Sequence, residues 1–132
     1  MAPVPSNGYR VLVVDNDPAA LSTYRRLLRR AGFETRTASN PLEVLANGQA
    51  DGVHLLLLDD RMPGLDGMSF LAELRRRECS APAILVSTCL NEDVIGQARL
   101  LGVAKVLEKP IDVMALRRSL FELLPPAVSR PA

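Results

Sequence analysis

The sequence has little of what characterises disulfide-rich, membrane-spanning or strongly charged proteins. Its two cysteines, Cys79 and Cys89, are too few for a disulfide framework. No apolar run is longer than the four residues from Leu55 to Leu58, far too short to span a bilayer. The formal net charge is only +1, so no global field draws the chain to nucleic acid or anionic lipid. We therefore expect a cytoplasmic protein with reduced thiols, no membrane association and no direct nucleic-acid binding.

What is present is an ordinary globular composition, with 48% hydrophobic and 23% charged residues in a chain of 132. That length fits one domain with a single core. Residues 1–8 are rich in proline and glycine and lack periodicity, which favours a flexible lead-in. We expect the domain to occupy residues 9–124, and residues 125–132 to form a tail or the beginning of a linker.

Short apolar runs alternate with stretches of helical spacing along the chain. Two of the runs are weaker than the others, and in the first of these Thr35 and Thr37 favour a strand at the sheet edge. The predicted strands are residues 9–14, 34–38, 53–58, 83–86 and 104–107. Five alternations of strand and helix indicate an α/β fold, a doubly wound parallel sheet with helices on both faces.

Most of the helical stretches begin with a residue suited to cap them. Asp17 and Asn40 each precede a proline, while Asn91 and Asp112 precede the fourth and fifth helices. The third helix is predicted over residues 67–78. The side chains predicted to face the core from these helices are Leu21, Tyr24, Leu27, Leu28, Phe70, Leu71, Leu74, Val94, Ile95, Ala98, Leu101, Val113, Leu116, Leu120 and Leu124.

Polar residues follow four of the predicted strands, and in a parallel sheet these ends meet at one edge, where ligands bind. They are Asp15, Asn16 and Asp17 after the first strand, Asp59 and Asp60 after the third, Ser87 and Thr88 after the fourth, and Lys109 and Pro110 after the fifth. Clustered carboxylates need a proton or a hard cation between them, and oxygen ligands suit Mg²⁺. Mg²⁺ and a lysine could together neutralise a phosphoryl group on a carboxylate nucleophile, which predicts an aspartyl phosphate.

Four segments resemble motifs of response-regulator receiver domains. Residues 56–67, LLLDDRMPGLDG, are similar to the phosphoacceptor segment of that family, and residues 13–18, VVDNDP, to its acidic motif after the first strand. Residues 108–110 resemble its lysine–proline motif, and Ser87 matches its hydroxyl switch position. The similarity covers about residues 9–124. It implies a flavodoxin-like fold with strand order 2-1-3-4-5 and a role in two-component signalling.

Carried over position by position, the resemblance implies a role for each residue of the edge. Asp59 would be the phosphoacceptor, Lys109 would pair with the phosphoryl oxygens and Ser87 would bind them. The implied Mg²⁺ ligands are Asp15 acting through water, Asn16, Asp59 and the backbone carbonyl of Arg61. The implied partners are a sensor histidine kinase or phosphotransfer protein, an output domain or downstream protein, and a second copy in a homodimer. The Lys109–Pro110 peptide bond is typically cis in the family.

Asp59 and Asp60 compete for the phosphoacceptor role. Neighbouring residues of a strand point to opposite faces, so only one of them can face the acids after the first strand. The spacing to Met62 and Pro63 selects Asp59. Asp17 is interpreted mainly as a helix cap, with an indirect metal role as the alternative.

Two residues depart from the family pattern. Asn16 stands where an acid is usual, and an amide oxygen brings no charge to a cation, so we expect weakened Mg²⁺ binding. Val106, three residues before Lys109, stands where Tyr or Phe is common. In the family that ring turns inward when the hydroxyl residue moves toward the phosphate, and valine is too short and stiff to do the same. Lys105 is also unusual at its position. These departures leave open a pseudo-receiver, which would act only as an interaction module.

Two enzyme classes are alternatives to a signalling domain. Asp15, Asn16 and Asp17 after an apolar strand also fit the D-x-D motif of haloacid-dehalogenase-like phosphatases, although Pro18 and Ala19 replace the expected Thr. A dinucleotide-binding enzyme is disfavoured, because no glycine fingerprint follows the first strand. We expect a signalling phosphoacceptor and not an enzyme beyond its own phosphotransfer and dephosphorylation.

Overall fold

The computed structural model describes residues 7–125. The predicted lead-in and tail fall largely outside this range and stay predictions. The strands are β1 (Arg10–Val14), β2 (Glu34–Ala38), β3 (Leu55–Asp59), β4 (Ala83–Ser87) and β5 (Lys105–Glu108). The helices are α1 (Pro18–Arg30), α2 (Pro41–Asn47), α3 (Gly67–Arg76), α4 (Glu92–Leu100) and α5 (Val113–Leu123).

All four strand pairings are parallel, in the order β2-β1-β3-β4-β5. The predicted doubly wound sheet and its strand order are confirmed, and β2 lies at an edge as its threonines suggested. The strand order reverses between β1 and β3, so the carboxyl ends of these two strands bound the crevice where a ligand of such a sheet binds.

The three inner strands are buried on both faces because each carries apolar side chains at consecutive positions. Alternate residues join two separate cores. Leu12, Leu56 and Leu85 pack with α2, α3 and α4, whereas Val13 and Leu57 pack with α1 and α5. By the same alternation, each polar residue just beyond a strand end lies on one or the other face of the sheet.

The predicted caps are confirmed at four helices. The side chains of Asp17, Asn40, Asn91 and Asp112 each accept a hydrogen bond from a backbone amide of the first helical turn. Asp66 caps α3 in the same way, accepting from the amide of Ser69 at 2.8 Å. These caps begin each helix close to the strand end that precedes it.

Two predicted core positions and one helix end were wrong. Ile95 is 41% exposed because α4 meets the core through the narrower row of Val94, Ala98 and Leu101, and Val113 is 42% exposed as the first residue of α5. The third helix ends at Arg76 rather than at residue 78. Glu78 has φ +67°, a left-handed conformation that no helix continues.

The start of α3 lies directly on the carboxyl end of β3. A Cβ added to Gly67 would lie 2.2 Å from the carbonyl oxygen of Asp59, so only glycine allows this approach. The amide of Gly67 donates to the carbonyl of Asp60 at 2.9 Å. Far from this contact, the hydroxyl of Tyr9 donates to the carbonyl of Pro125 at 2.6 Å. None of the helices between residues 7 and 125 is long and apolar enough to cross a membrane.

Candidate functional site

Two acids and a lysine meet at the carboxyl edge of the sheet. The Lys109 Nζ atom lies 3.2 Å from Asp59 Oδ1 and 3.6 Å from Asp15 Oδ2. Asp59 is the last residue of β3, Asp15 follows β1 and Lys109 follows β5. We call these three residues the acid–lysine group. Two acids separated by 44 residues in the chain are thus brought within ion-pairing distance of a single ammonium.

Strand register explains why these acids meet. Val14 of β1 pairs with Leu58 of β3, so the next residue of each strand, Asp15 and Asp59, lies beside the other on the face of α1 and α5. Lys109 is fixed by its own backbone, whose amide donates to the carbonyl of Ser87 at 2.8 Å. The Lys109–Pro110 peptide bond is cis, as is typical of the family that the motif resembles.

The pKa values of Asp15 and Lys109 are both raised, for different reasons. Asp15 is 2% exposed, and this burial, together with the charge of Asp59, raises its pKa despite the hydrogen bond from the Asp17 amide and the charge of Lys109. Partial burial would lower the pKa of Lys109, but the hydrogen bond to Asp59 and the charge of Asp15 outweigh it and raise the pKa. The lysine therefore stays an ammonium, and one negative charge is left unbalanced when both acids are ionised.

The oxygens around this group fit a hard cation. Asp15 and Asp59 supply carboxylates, while Asn16 and Arg61, both exposed, follow them in the chain with an amide oxygen and a backbone carbonyl. The amide of Arg61 already points to Asp59 Oδ1, at 3.5 Å. Within residues 7–125, no three Asp, Glu, His or Cys side chains are gathered as metal ligands. A divalent cation here would depend on two carboxylates and on uncharged oxygens.

The structure places Ser87 against a different acid. Its hydroxyl donates to Asp60 Oδ2 at 3.0 Å and accepts from the amide of Cys89 at 3.1 Å. Ser87 is 1% exposed, and we call Asp60 and Ser87 the acid–hydroxyl pair. The sequence-based prediction assigns no role to Asp60. Strand alternation could have indicated that Asp60 and Ser87 share a face of the sheet, although the contact itself also depends on the register of β3 against β4.

Asp17 and Val106 lie beside these groups. The Asp17 carboxylate accepts from the amide of Ala19 at 3.0 Å, which confirms it as the α1 cap. Val106 is half-buried and packs on the core under α3 and α4, and Lys105 pairs with Glu122 of α5 at 2.7 Å. Val106 is thus engaged with the core, and its neighbour Lys105 with α5.

A cleft of about 350 Å³ opens on the other side of Lys109, between α1 and the loop before α5. Tyr24 and Ile111 are among its lining residues. Burial raises the pKa of Tyr24, and the charges of Asp15 and Asp59 raise it further, so its hydroxyl stays protonated beside the acids. Lys109 is accessible from this cleft, with a side chain 25% exposed.

Comparison with known proteins agrees with this arrangement. The sequence matches the family described as "Response regulator receiver domain" over residues 11–121. It is 36% identical over 122 residues to the cyclic di-GMP phosphodiesterase response regulator RpfG of Xanthomonas campestris, covering 89% of this chain and 32% of that protein. It is 34% identical to the DNA-binding transcriptional regulator NtrC of Salmonella typhimurium, covering 78% of this chain and 22% of that protein.

Among solved structures, the receiver domain of the Francisella response regulator 1452 superposes with a TM-score of 0.81 at 25% identity, covering 88% of this chain and 96% of the other. The chain spans only a minor part of the length of the two curated relatives named above. These comparisons give no support to the phosphatase or interaction-module alternatives. Family match, fold and motifs agree: the chain belongs to the receiver domains of two-component response regulators, signalling domains whose family features include phosphorylation and Mg²⁺ binding.

Proposed function

We propose that Asp59 is the phosphoacceptor of this receiver domain and that Lys109 pairs with the phosphoryl group it accepts. The observation that carries the proposal is the 3.2 Å contact between Lys109 Nζ and Asp59 Oδ1. An ammonium at this distance is placed to neutralise charge that develops on a group bound to the carboxylate. Asp60, the neighbouring acid, is bonded to Ser87 and has no such partner among the ion pairs of residues 7–125.

In the proposed reaction, an Asp59 carboxylate oxygen attacks the phosphorus of the donor. The bond from phosphorus to the donor atom breaks, and the leaving group departs with its electron pair. For a histidine kinase or phosphotransfer protein, this leaving atom is an imidazole nitrogen. Lys109 keeps its proton throughout and neutralises the phosphoryl oxygens. The product is an aspartyl phosphate whose hydrolysis returns Asp59 and inorganic phosphate.

The proposed Mg²⁺ ligands are Asp59, the amide oxygen of Asn16, the backbone carbonyl of Arg61 and, through water, Asp15. When bound, Mg²⁺ would neutralise phosphoryl oxygens and help to orient the donor. The unbalanced negative charge of the acid–lysine group favours a cation. Asn16 lowers that charge by one relative to an acid at the same position, so we infer that Mg²⁺ binds more weakly than it would to a site with an acid there.

We further infer that the partner in phosphoryl transfer approaches Lys109 from the cleft between α1 and the α5 loop. Arg25 and Arg26 are exposed on α1, beside the cleft residue Tyr24. The proposed partners are a sensor histidine kinase or phosphotransfer protein in the cytoplasm and, downstream, an output domain, another protein or a second copy of the chain. Ser87 would bind the phosphoryl oxygens. The surface formed by α4, β5 and α5 would change on phosphorylation and interact with the downstream partner.

The test is intact-mass analysis after incubation with acetyl phosphate and Mg²⁺. We expect one phosphoryl group on the unmodified chain and none on Asp59→Asn. Asp60→Asn is the matched control, since it removes the neighbouring carboxylate and should still be modified. Absence of modification on the unmodified chain would refute the proposal and favour a pseudo-receiver. Modification that survives Asp59→Asn would move the acceptor to another residue.

A further inference from the structure

The hydroxyl that the proposed function needs at Asp59 is already engaged by Asp60. A serine hydroxyl has one proton to donate. In the structure Ser87 Oγ lies 3.0 Å from Asp60 Oδ2, and its other acceptor, the carbonyl of Cys89, is more distant at 3.3 Å. A hydrogen bond to a carboxylate is about twice as strong as one between neutral groups. The Asp60 carboxylate is therefore the preferred acceptor of this proton.

The backbone holds Asp60 in the position where it receives that bond. Its amide donates to the carbonyl of Val86 on β4 at 2.8 Å, and its carbonyl accepts from the amide of Gly67 on α3 at 2.9 Å. Both sides of the residue are thus fixed to neighbouring elements. The Asp60 backbone is thus held beside Ser87, in the corner between β3, β4 and α3.

Strand alternation separates this contact from the phosphoacceptor. Asp59 lies on the face of α1 and α5, where Lys109 reaches it, whereas Asp60 and Ser87 lie on the face of α3 and α4. For the Ser87 hydroxyl to donate to a phosphoryl oxygen on Asp59, it must turn away from Asp60. A phosphoryl oxygen can accept this hydrogen bond only when the Ser87 hydroxyl no longer donates to Asp60.

We propose that Asp60 is a positioning residue that holds Ser87 in the unphosphorylated state and competes with the phosphoryl group on Asp59 for the Ser87 hydroxyl. This inference rests on the proposed function. The competition lowers the affinity of the site for a phosphoryl group and limits how completely Ser87 turns. Loss of Asp60 removes the competing acceptor, so a phosphoryl analogue binds more tightly and Ser87 responds more fully.

The experiment is a double-mutant cycle on the full chain, with beryllofluoride and Mg²⁺ as the probe. Binding is measured by NMR titration of Asp60→Ala, Ser87→Ala, the double variant and the unmodified chain. We expect Asp60→Ala to tighten binding roughly tenfold when Ser87 is present, the scale of one hydrogen bond to a charged group. In the Ser87→Ala background, the same change should have an effect of about twofold or less.

Two results would overturn the competition while leaving the proposed function intact. An equal gain in both backgrounds would show that Asp60 acts only through its charge, and no gain with Ser87 present would show that it does not compete. Glu108→Gln is the matched control for charge, because Glu108 is paired in register with Ser87, and no hydrogen bond joins their side chains within residues 7–125. A tenfold gain from Glu108→Gln would likewise count against the specific role of Asp60.

The same four proteins are compared by urea unfolding without ligand, a measurement independent of phosphorylation. A coupling of about fivefold in the unfolding equilibrium constant is expected between Asp60 and Ser87. If the effects of the two single substitutions are additive, Asp60 does not hold Ser87 in the unphosphorylated state. If no variant binds beryllofluoride and acetyl phosphate modifies none of them, the proposed function is refuted and the competition fails with it. Modification of the unmodified chain with no difference in Asp60→Ala refutes the competition alone.

Discussion

Two adjacent acids of one strand end have opposite surroundings. Asp59 lies in the acid–lysine group, where another carboxylate repels it and an ammonium attracts it. Asp60 lies in the acid–hydroxyl pair and interacts with a neutral donor on the neighbouring strand. The residues are chemically identical and differ by one step along the chain. Alternation along the chain places Asp59 on the face of Lys109 and Asp60 on the face of Ser87.

This difference teaches that the carboxyl edge is two sites joined by a peptide unit. A change to the acid–lysine group alters charge and cation binding, whereas a change to the acid–hydroxyl pair alters the orientation of one proton. The backbone between Asp59 and Asp60 is common to both, and Gly67 packs on it. Substitutions can therefore disturb both halves together or one at a time.

The largest effect is expected from Gly67→Ala, which disturbs both halves. The added Cβ would lie 2.2 Å from the carbonyl oxygen of Asp59, so α3 or the end of β3 must move. We expect the free energy of unfolding to fall by about 3 kcal/mol in urea denaturation, and phosphorylation by acetyl phosphate to slow.

Gly96→Ala is the matched control for this substitution. Gly96 lies in α4 with nothing within 4 Å of the position of a Cβ. The free energy of unfolding of Gly96→Ala should rise by about 0.5 to 1 kcal/mol, because alanine has a higher helix propensity than glycine. Wild-type stability and phosphorylation in Gly67→Ala would show that the close approach to β3 is unimportant.

Asn16→Asp adds a charge beside the acid–lysine group and leaves the acid–hydroxyl pair unchanged. The added charge should tighten Mg²⁺ binding at least tenfold, because one charge a few Å from a cation is worth up to a few kcal/mol at an effective dielectric constant of about 20. NMR titration with Mg²⁺ measures the change. Asn47→Asp adds the same charge at an exposed residue at the far end of α2 and should leave the affinity unchanged. Equal affinity for the Asn16→Asp and unmodified chains would contradict the assigned role of Asn16.

Asp15→Asn should raise stability at neutral pH, on the order of 1 kcal/mol in urea unfolding without divalent cations. The folded-state pKa of Asp15 lies above its usual value, so the folded protein binds the proton more tightly than the unfolded chain does. The stability that this proton contributes is complete below the usual pKa of 3.8 and is lost as the pH rises through the folded-state value. Asp15→Asn should abolish this loss, while Asp93→Asn on the exposed start of α4 should keep it. If the dependence of the free energy of unfolding on pH is unchanged by Asp15→Asn, the raised pKa does not belong to Asp15.

The smallest effect is expected from Asp17→Ser, which locates the boundary of the acid–lysine group. Serine is as good a helix cap as aspartate, so stability should change by less than about 0.5 kcal/mol, and Mg²⁺ affinity by less than about twofold. Asp17→Ala should cost about 1 kcal/mol through the lost cap. A tenfold loss of Mg²⁺ affinity in Asp17→Ser would instead make this carboxylate part of the metal site.

Much of the fold could be predicted because its signals are local. The apolar runs, the capping residues and their order along the chain indicated each strand and helix within a few residues. The exposure of Ile95 and Val113 could not be predicted, because it depends on how α4 and α5 sit over the sheet. Periodicity identifies an apolar face but not how much of that face a neighbouring element covers.

The same limit applies to the site. Strand ends predicted which residues share the edge, and alternation separated Asp59 from Asp60. The contact between Asp60 and Ser87 also requires the register of β3 against β4, which one sequence does not encode locally. The Lys109 contacts with both acids likewise depend on the position of β5 at the far side of β4.

The hydrogen bond from Tyr9 to Pro125 has a consequence for how the domain communicates. It brings the residue before β1 and the second residue after α5 together at the end of the sheet opposite Asp59. Strands of five residues separate the two edges by roughly 15 Å. Tyr9 and Pro125 are therefore neighbours, and both are remote from Asp59. A change at Asp59 would have to cross the full height of the sheet to reach this hydrogen bond, whereas Ser87 and Lys109 lie at the same end of the sheet as Asp59.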